Sequence, residues 1–399
     1  MRKVIFSVIL LMTSLNYTYS QFIPANFGKG LRIVGKDSSY YLKLGLRFQN
    51  LFTSDWMSNE EGNYSHESAS FLVRRSRIKA DGWILNTGLK YKLELALSNR
   101  DVAGGHSPEF RNTANIVLDA FIRWRFYKNL SIQFGQAKLP GNRERVISSG
   151  NLQFVDRSLL NSRFTLDRDV GIQLRNHHFL FNRFLIREII AFGQGEGRNV
   201  TSGFHGGFDY TARIELLPFG EFAGKGDYVG AAIRREEKVK LSVAVTYDYN
   251  ANAVRERGQL GTFIINETGS YIGKDLKSIH ADMMLKYRGW SMMAEYAHRE
   301  VSGEPVVFDE DMTEIGTYYT GEAINVQVGA FFTDTWEAAI RYTEVFPDVL
   351  VAENETQYTF GLSKYVVGHK LKIQTDFTYV DKDISHDILL WRLQVEVHL

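Results

Sequence analysis

From about residue 40 to its end the chain alternates apolar and polar residues, a period of two that places successive side chains on opposite faces of a strand. Residues 74–82 read RRSRIKADG. Taken in twos, Arg75, Arg77, Lys79 and Asp81 share one face, while Ser76, Ile78, Ala80, Gly82 and Ile84 share the other. After a turn at Asn86, Thr87 and Gly88 the pattern resumes, with Leu89, Tyr91, Leu93, Leu95 and Leu97 opposing Lys90, Lys92 and Glu94. The two segments predict a hairpin. One such hairpin suits a soluble sheet wetted on its charged face, so the rest of the chain has to decide.

The alternation recurs along the whole length. Leu118, Ala120, Ile122, Trp124 and Phe126 oppose Asp119, Phe121, Arg123 and Arg125, and the chain closes with Trp391, Leu393, Val395, Val397 and Leu399 against Arg392, Gln394, Glu396 and His398. Sixteen strands are expected, near 40–52, 71–84, 88–99, 115–126, 130–138, 169–176, 184–193, 208–217, 240–250, 277–288, 290–299, 320–331, 336–344, 356–364, 370–380 and 388–399. Tight connections at 127–129, 289 and 366–369 mostly alternate with long polar ones at 53–70, 100–114, 139–168, 251–276 and 300–319. The 20 Tyr, 27 Phe and 6 Trp, against 6 Pro, favour strands over disorder or apolar helices.

The N-terminus reads as an export signal: Arg2 and Lys3, an apolar run from Val4 to Met12, and Thr18-Tyr19-Ser20 before a cleavage point at Gln21. Residues 1–20 are thus expected to be removed, 21–39 to form an N-terminal periplasmic segment, and 40–399 the main domain. The apolar run is too short for a spanning helix, and position 21 is not a lipid-bearing cysteine. Beyond it no window approaches the ~18 apolar residues a helix needs to cross a bilayer. The absence of Cys excludes disulfide stapling. The formal charge of +1, less the two cations of the leader, is −1. Any ion preference must therefore come from local placement.

An exported chain with no spanning helix, an even number of alternating strands and a long-short rhythm of connections predicts an all-β fold: a sixteen-stranded antiparallel transmembrane β-barrel with short periplasmic turns and long extracellular loops. In hydrocarbon every backbone N–H and C=O must pair within the protein, and only a closed sheet has no edge. The apolar faces meet outer-membrane lipid and the polar faces a watery lumen. Two places fit poorly. Residues 218–239, PFGEFAGKGDYVGAAIRREEKV, are read as an oversized periplasmic turn, with Tyr228 to Arg235 as a competing strand that would break the even count. Arg74 falls on the lipid face, to be met by headgroups or accommodated in a bulge.

The segments FLVRRSRIKADG, FGQAKLPGNRERVISSGNLQFVDRSLL with TLDRDVG, RIELLPFGEF, and YDYNANAVRERGQLG with MAEYAHR run in one order along residues 40–399, and in them the chain resembles the phosphate-selective porin O and P family. The resemblance implies a sixteen-stranded outer-membrane barrel, usually a homotrimer, that passes small anions and phosphate-like solutes by diffusion. It also supports an inward-folded constriction loop at 139–168. The chain departs from the pattern at Leu399, where such barrels commonly end in Phe, and at Gly141, where a bulky residue is expected after Pro140.

On the three strands 71–84, 88–99 and 115–126 the lumen face carries Arg75, Arg77, Lys79, Lys90, Lys92, Arg123 and Arg125 against Asp81, Glu94 and Asp119. The loop adds Arg143, Arg145, Arg157 and Arg163, with Arg168 at its end. A basic wall in a low-dielectric pore concentrates anions, and guanidinium forks match phosphate oxygens two at a time. These cations form the expected pore-lining and anion-binding set. The competing reading is that they pair with lumen acids, among them Asp282, Glu295, Glu337, Asp376 and Glu396. The FGQGEGR segment lacks the dinucleotide fingerprint and reads as a loop, and His177-His178 lacks a second cluster at metal-ligand spacing. No catalytic residue, metal, cofactor or nucleic-acid partner is called for. A barrel hydrolase or a plugged structural barrel remain the readings of a different class, the plugged one separable by single-channel recording.

Overall fold

The computed structural model describes residues 21–23, 26–103, 107–181, 183–201 and 203–399, so the expected export signal lies outside the described residues. Its strands are β1 (Gln21–Ile23), β2 (Leu31–Val34), β3 (Tyr40–Ser58), β4 (Tyr64–Ile84), β5 (Asn86–Ala96), β6 (Val117–Tyr127), β7 (Leu130–Lys138), β8 (Arg168–Leu180), β9 (Phe184–Gly193), β10 (Asp209–Leu217), β11 (Lys240–Ala253), β12 (Lys274–Tyr287), β13 (Trp290–Val301), β14 (Val306–Phe308), β15 (Glu314–Thr317), β16 (Gly321–Phe331), β17 (Trp336–Pro347), β18 (Glu355–His369), β19 (Leu371–Lys382) and β20 (Ile388–His398). Of these, β3 to β13 and β16 to β20 pair antiparallel, each with the next, and β20 returns to β3 from Ile388↔Met57 to His398↔Arg47. The result is a closed sixteen-stranded antiparallel barrel. β2 is laid against the start of β3, and β14 with β15 makes a small hairpin inside one loop.

The alternation sets the two faces. Ile122, Trp124, Phe134, Ile190, Val245, Ile340 and Phe377 are exposed on the outer surface. Gln49, Thr246, Asn325 and Gln374, on the other face of their strands, are almost wholly buried. A protein with its apolar residues outside and its polar residues inside requires an apolar surround. Aromatic rings band both rims. At the short-turn end Tyr41 stacks on Trp83 and Phe332 on Trp336, while at the long-loop end Tyr342, Tyr358 and Tyr379 lie side by side on neighbouring strands. Such amphipathic girdles sit at the two bilayer interfaces. No described helix is long and apolar enough to cross a membrane.

Two expectations need correction, and one choice is resolved. Residues 53–70 are not a polar loop: β3 and β4 stay paired out to Ser58↔Tyr64, so a long hairpin projects beyond the barrel wall and only 59–63 turn the chain. The β4–β5 turn falls at Leu85, in the left-handed region at φ 63°, rather than at Asn86 to Gly88. Arg74 does not meet lipid headgroups; Gln49 pairs with Arg75 and Asn50 with Val73, so Arg74 is the extra residue of a β-bulge. The bulge, which the sequence left open, turns the guanidinium inward to Asp156 at 3.0 Å.

Residues 218–239 contain no strand, which preserves the even count. They do not lie flat as a turn, however. Phe222, Asp227, Ala231 and Ala232 are buried, and Lys286 Nζ donates to the carbonyls of Val229 and Ala231, both at 2.7 Å. The segment folds back into the barrel.

Candidate functional site

The connection between β7 and β8, residues 139–167, also enters the lumen, and its contacts show how deeply. Arg143 Nε donates to Asp282 Oδ1 at 2.9 Å, and Asn142 Nδ2 and the Glu144 amide reach Glu295 Oε1 at 3.1 and 2.7 Å. Gln153 Nε2 donates to Glu337 Oε1 at 2.7 Å, and the Val155 amide to Asp376 Oδ2 at 3.1 Å. These partners stand on β12, β13, β17 and β19, across the barrel from the strands that carry the loop. Apolar side chains reinforce the attachment: Leu159, Leu160 and Phe164 pack on Ala297, Ala323 and Val345, and Ile147 and Leu152 pack with Phe222, Met284 and Met293. The two inserts meet where the Gly230 amide donates to the Asn151 carbonyl at 2.8 Å.

Together they occupy much of the lumen along β11 to β20 and leave three adjoining cavities, lined mainly by β3 to β10. The central one, of about 250 Å3, has nine cationic side chains in its wall against three carboxylates, Glu94, Asp119 and Glu215. It shares Arg123, Arg175 and Tyr228 with a second, of about 590 Å3, that opens toward the short-turn end past Lys90, Arg125 and Lys225. It shares Arg77, Lys92 and Glu94 with a third, of about 270 Å3, bounded by Lys43, Lys79 and Lys370. The three make one basic cavity system that reaches the short-turn end along two sides. Enclosure in low-dielectric walls strengthens its field relative to the same charges in open water.

The expected pore-lining cations divide into three groups. Lys90, Arg123 and Arg125 line the wider cavity and make no ion pair among the described residues; the Arg123 guanidinium rests on Gln133 Oε1 at 3.0 Å. Arg77, Lys79, Lys92, Arg145 and Arg157 also line the cavities. The first three are tethered to carboxylates: Arg77 to Glu94 and Asp101, Lys79 to Asp81 at 2.9 Å, and Lys92 to Glu94 and Asp119. Arg145 pairs with Asp167, and Arg157 donates to the Glu144 and Ile147 carbonyls at 2.9 and 3.0 Å. Burial, opposed by Glu144, lowers Arg157 to about 10.

The remaining three stand apart from the cavities. Arg143 is wholly buried against Asp282 and Glu215. Burial alone would lower its pKa, yet those carboxylates hold it above the ordinary arginine value. Arg75 is 3% exposed and bonded to Asp156, with which Arg74 makes a second pair. Burial alone would raise Asp156, but Arg75 and Arg74 hold it well below the usual carboxylate range. Arg163 pairs with Glu355 at 3.4 Å near the long-loop end. For these three the geometry is that of fasteners, contrary to the expectation of an anion path through them.

Sequence reasoning missed Arg175, Lys138 and Arg213, which line the central cavity. Their signal was the same alternation: Arg175 is two residues from Gln173 and Arg213 two from Thr211, both on lumen faces. The acids of the second half follow the competing reading at Asp282, which pairs with Arg143. Asp282, Glu295, Glu337 and Asp376 hold the loop, while Glu396 pairs with Arg47 and Lys372. They do not neutralise Lys90, Arg123 or Arg125.

Gly141 has a local reason. A Cβ there would lie 3.1 Å from Leu166 Cβ, and its carbonyl accepts from Arg213 Nη1 at 2.8 Å, so the loop is too closely packed for a bulky side chain. At the other departure, Leu399 exchanges backbone hydrogen bonds with Leu46, completing the ladder regardless of its side chain.

A closed barrel with an apolar banded exterior and an inward-folded loop narrowing a charged lumen defines an outer-membrane porin. The sequence profile of phosphate-selective porin O and P matches residues 42–387, and the chain belongs to that family. No curated protein matches it significantly. Among solved structures, the Vibrio cholerae outer membrane protein OmpT lacking loop L8 superposes with a TM-score of 0.55 at 11% identity over 90% of this chain and 99% of that one. The outer membrane channel DcaP of Acinetobacter baumannii gives 0.54 at 11%, over 92% and 99%. The anion-selective porin from Comamonas acidovorans gives 0.53 at 9%, over 90% and 100%. At such identities the likeness is one of fold.

Proposed function

We propose that this porin is anion-selective and passes phosphate and other small oxyanions by diffusion. The observation that carries the reading is the set Lys90, Arg123, Arg125 and Arg175, which faces the cavities without carboxylate partners among the described residues. A cation tied to a carboxylate presents little net field to a passing ion, whereas an untied one presents its full charge. Arginine forks favour tetrahedral oxyanions over halide because two N–H groups meet two oxygens. The Comamonas neighbour, described as an anion-selective porin, is consistent with this. We further assign cleavage after Ser20, residues 21–39 to the periplasmic side, and a homotrimer, the assembly named for one OmpT form.

Bilayer recordings under a salt gradient test the proposal. The reversal potential should indicate anion permeation, and millimolar phosphate should reduce chloride current. Both effects should weaken between 0.1 and 1 M salt, as the screening length shrinks from about 10 to about 3 Å. Cation selectivity would overturn the reading. Anion selectivity without block by phosphate would make the protein a general anion porin.

A further inference from the structure

Outside the basic cavities, at the long-loop end of β8 to β11, lies a group of acidic and amide side chains that conduction does not use. Asp209, the first residue of β10, faces Asn250 across the ladder, and two residues on, Thr211 faces Asp248. All four point inward and are at most 2% exposed. Thr211 donates to Asp248 Oδ1 at 2.9 Å. From the 254–273 loop Gln259, also 2% exposed, reaches down to donate to Asp209 Oδ2 at 3.1 Å. Asn250 Nδ2 donates to the Gly195 carbonyl at 2.8 Å, which draws in the 194–208 loop.

What remains is a surplus of acceptors. Asp209 Oδ1, Asn250 Oδ1 and Gln259 Oε1 are buried and accept no hydrogen bond, and neither Asp209 nor Asp248 makes an ion pair among the described residues. A third carboxylate, Asp169, adds to the negative field. It crosses the bare backbone of Gly193, where a Cβ would meet its Oδ2 at 2.4 Å, and is itself satisfied by the amides of Val170 and Gly195 at 2.8 and 2.6 Å. Buried acceptors without donors and buried carboxylates without cations are both costly, and one positive ion answers both.

We infer that Asp209 and Asp248, with the amide oxygens of Asn250 and Gln259, form a divalent-cation site of calcium type that fastens the 194–208 and 254–273 loops to the barrel. No three His, Cys, Asp or Glu residues converge in metal-holding geometry among the described residues. The donor set is therefore two carboxylates completed by neutral oxygens and water. That composition suits calcium, which takes six to eight oxygen ligands in adaptable geometry, better than magnesium, which demands a strict octahedron. The absence of any His, Cys or Met donor disfavours zinc and copper.

The test uses the full mature chain, refolded into detergent without lipopolysaccharide so that no lipid-borne calcium interferes. Equilibrium dialysis against about 1 mM calcium, in the affinity range of extracellular modules, should show one ion per chain. Chelation should lower the temperature at which the heat-modifiable band shifts, and added calcium should restore it. Asp209→Asn and Asp248→Asn should each weaken binding by about tenfold or more, the scale seen even for groups one step removed from a metal. Should either fail to fold, Gln259→Ala, whose change is confined to a loop, should lower affinity in a folded barrel. Glu60→Gln, at an exposed position in the β3–β4 hairpin turn, should leave binding unchanged. Failure to bind calcium at that concentration, or binding unaffected in all three variants, would overturn the site. So would a wild-type barrel indifferent to chelation but destabilised as pH rises from 5 to 8, because the two aspartates would then share a proton instead.

Discussion

The wall made by β4 to β9 and the wall made by β11 to β20 start from the same two-residue alternation and end in opposite roles. On the first, Lys90, Arg123, Arg125 and Arg175 face open space. On the second, Asp282, Glu295, Glu337 and Asp376 are each bonded to the inserted loop. The difference lies in the residues opposite each wall. Where an insert supplies a complementary partner, a lumen charge becomes structural; where none arrives, it stays unpaired. In a porin of this construction the sign of a wall residue says less about permeation than whether its partner is already in place.

The comparison breaks most visibly at Arg143. Arg143→Met would remove one of the cations that compensate the buried Asp282 and Glu215, leaving Arg213 on both and Arg187 on Glu215. Removing one partner of such a group costs about 3–5 kcal/mol, and the low end is expected because Arg213 stays on Asp282 at 2.7 Å. The variant should unfold at distinctly lower denaturant in gel-shift assays. In bilayers its conductance should be larger or noisier, because the loop loses its deepest anchor. Arg125→Gln, on the open wall, should leave the unfolding midpoint within about 0.5 kcal/mol of the parent. Equal destabilisation by the two variants would dissolve the distinction between the walls.

A smaller effect, on selectivity alone, is expected from Arg123→Gln combined with Arg175→Gln. Neither residue has a carboxylate to orphan, and the glutamine amides retain part of the local bonding. Stability should therefore hold while the anion-to-cation permeability ratio falls by roughly two- to tenfold, corresponding to about 0.4–1.4 kcal/mol. Neutralising Arg75 and Arg77 should act mainly on stability, since both are tied to Asp156, Asp101 or Glu94. If the Arg75 and Arg77 double variant shifts the reversal potential more than the Arg123 and Arg175 one, the open wall has been misassigned.

Alternation made the barrel legible because a bilayer enforces it: a one-residue slip would turn an entire face of Arg and Lys into hydrocarbon. All sixteen strands fall where the sequence placed them, with most discrepancies at their ends. The ends are less legible because water tolerates both loop and paired hairpin, as at 53–70. Occupancy of the lumen was legible only in part. Arg75 and Arg123 have the same type, phase and strand setting in sequence, yet one meets Asp156 and the other meets no acid. That difference depends on a carboxylate more than 80 residues from Arg75, delivered by a loop without a periodic pattern. The 218–239 insert was similarly hidden, because Phe222, Tyr228 and Ala231 become core only through contact with Leu217, Arg143 and Lys286.

The smallest expected effect is an absence of response to mild acid in the fastening at Asp156. A carboxyl whose folded pKa is depressed contributes stability that is present above its unfolded value, about 3.9, and is lost as pH falls through the folded value. Arg75 and Arg74 hold Asp156 well below the usual carboxylate range, so its proton binding does not change between pH 7 and about 5 in either state. The contribution of this bridge to loop attachment should therefore stay constant across that interval. Asp156→Asn should lower the unfolding midpoint by the same amount at pH 7 and pH 5, because the charge it removes is present at both. A difference between parent and variant that shrinks on going to pH 5 would show that Asp156 takes up a proton in that range. The two arginines would then hold the loop less tightly than their 3.0 Å contacts imply.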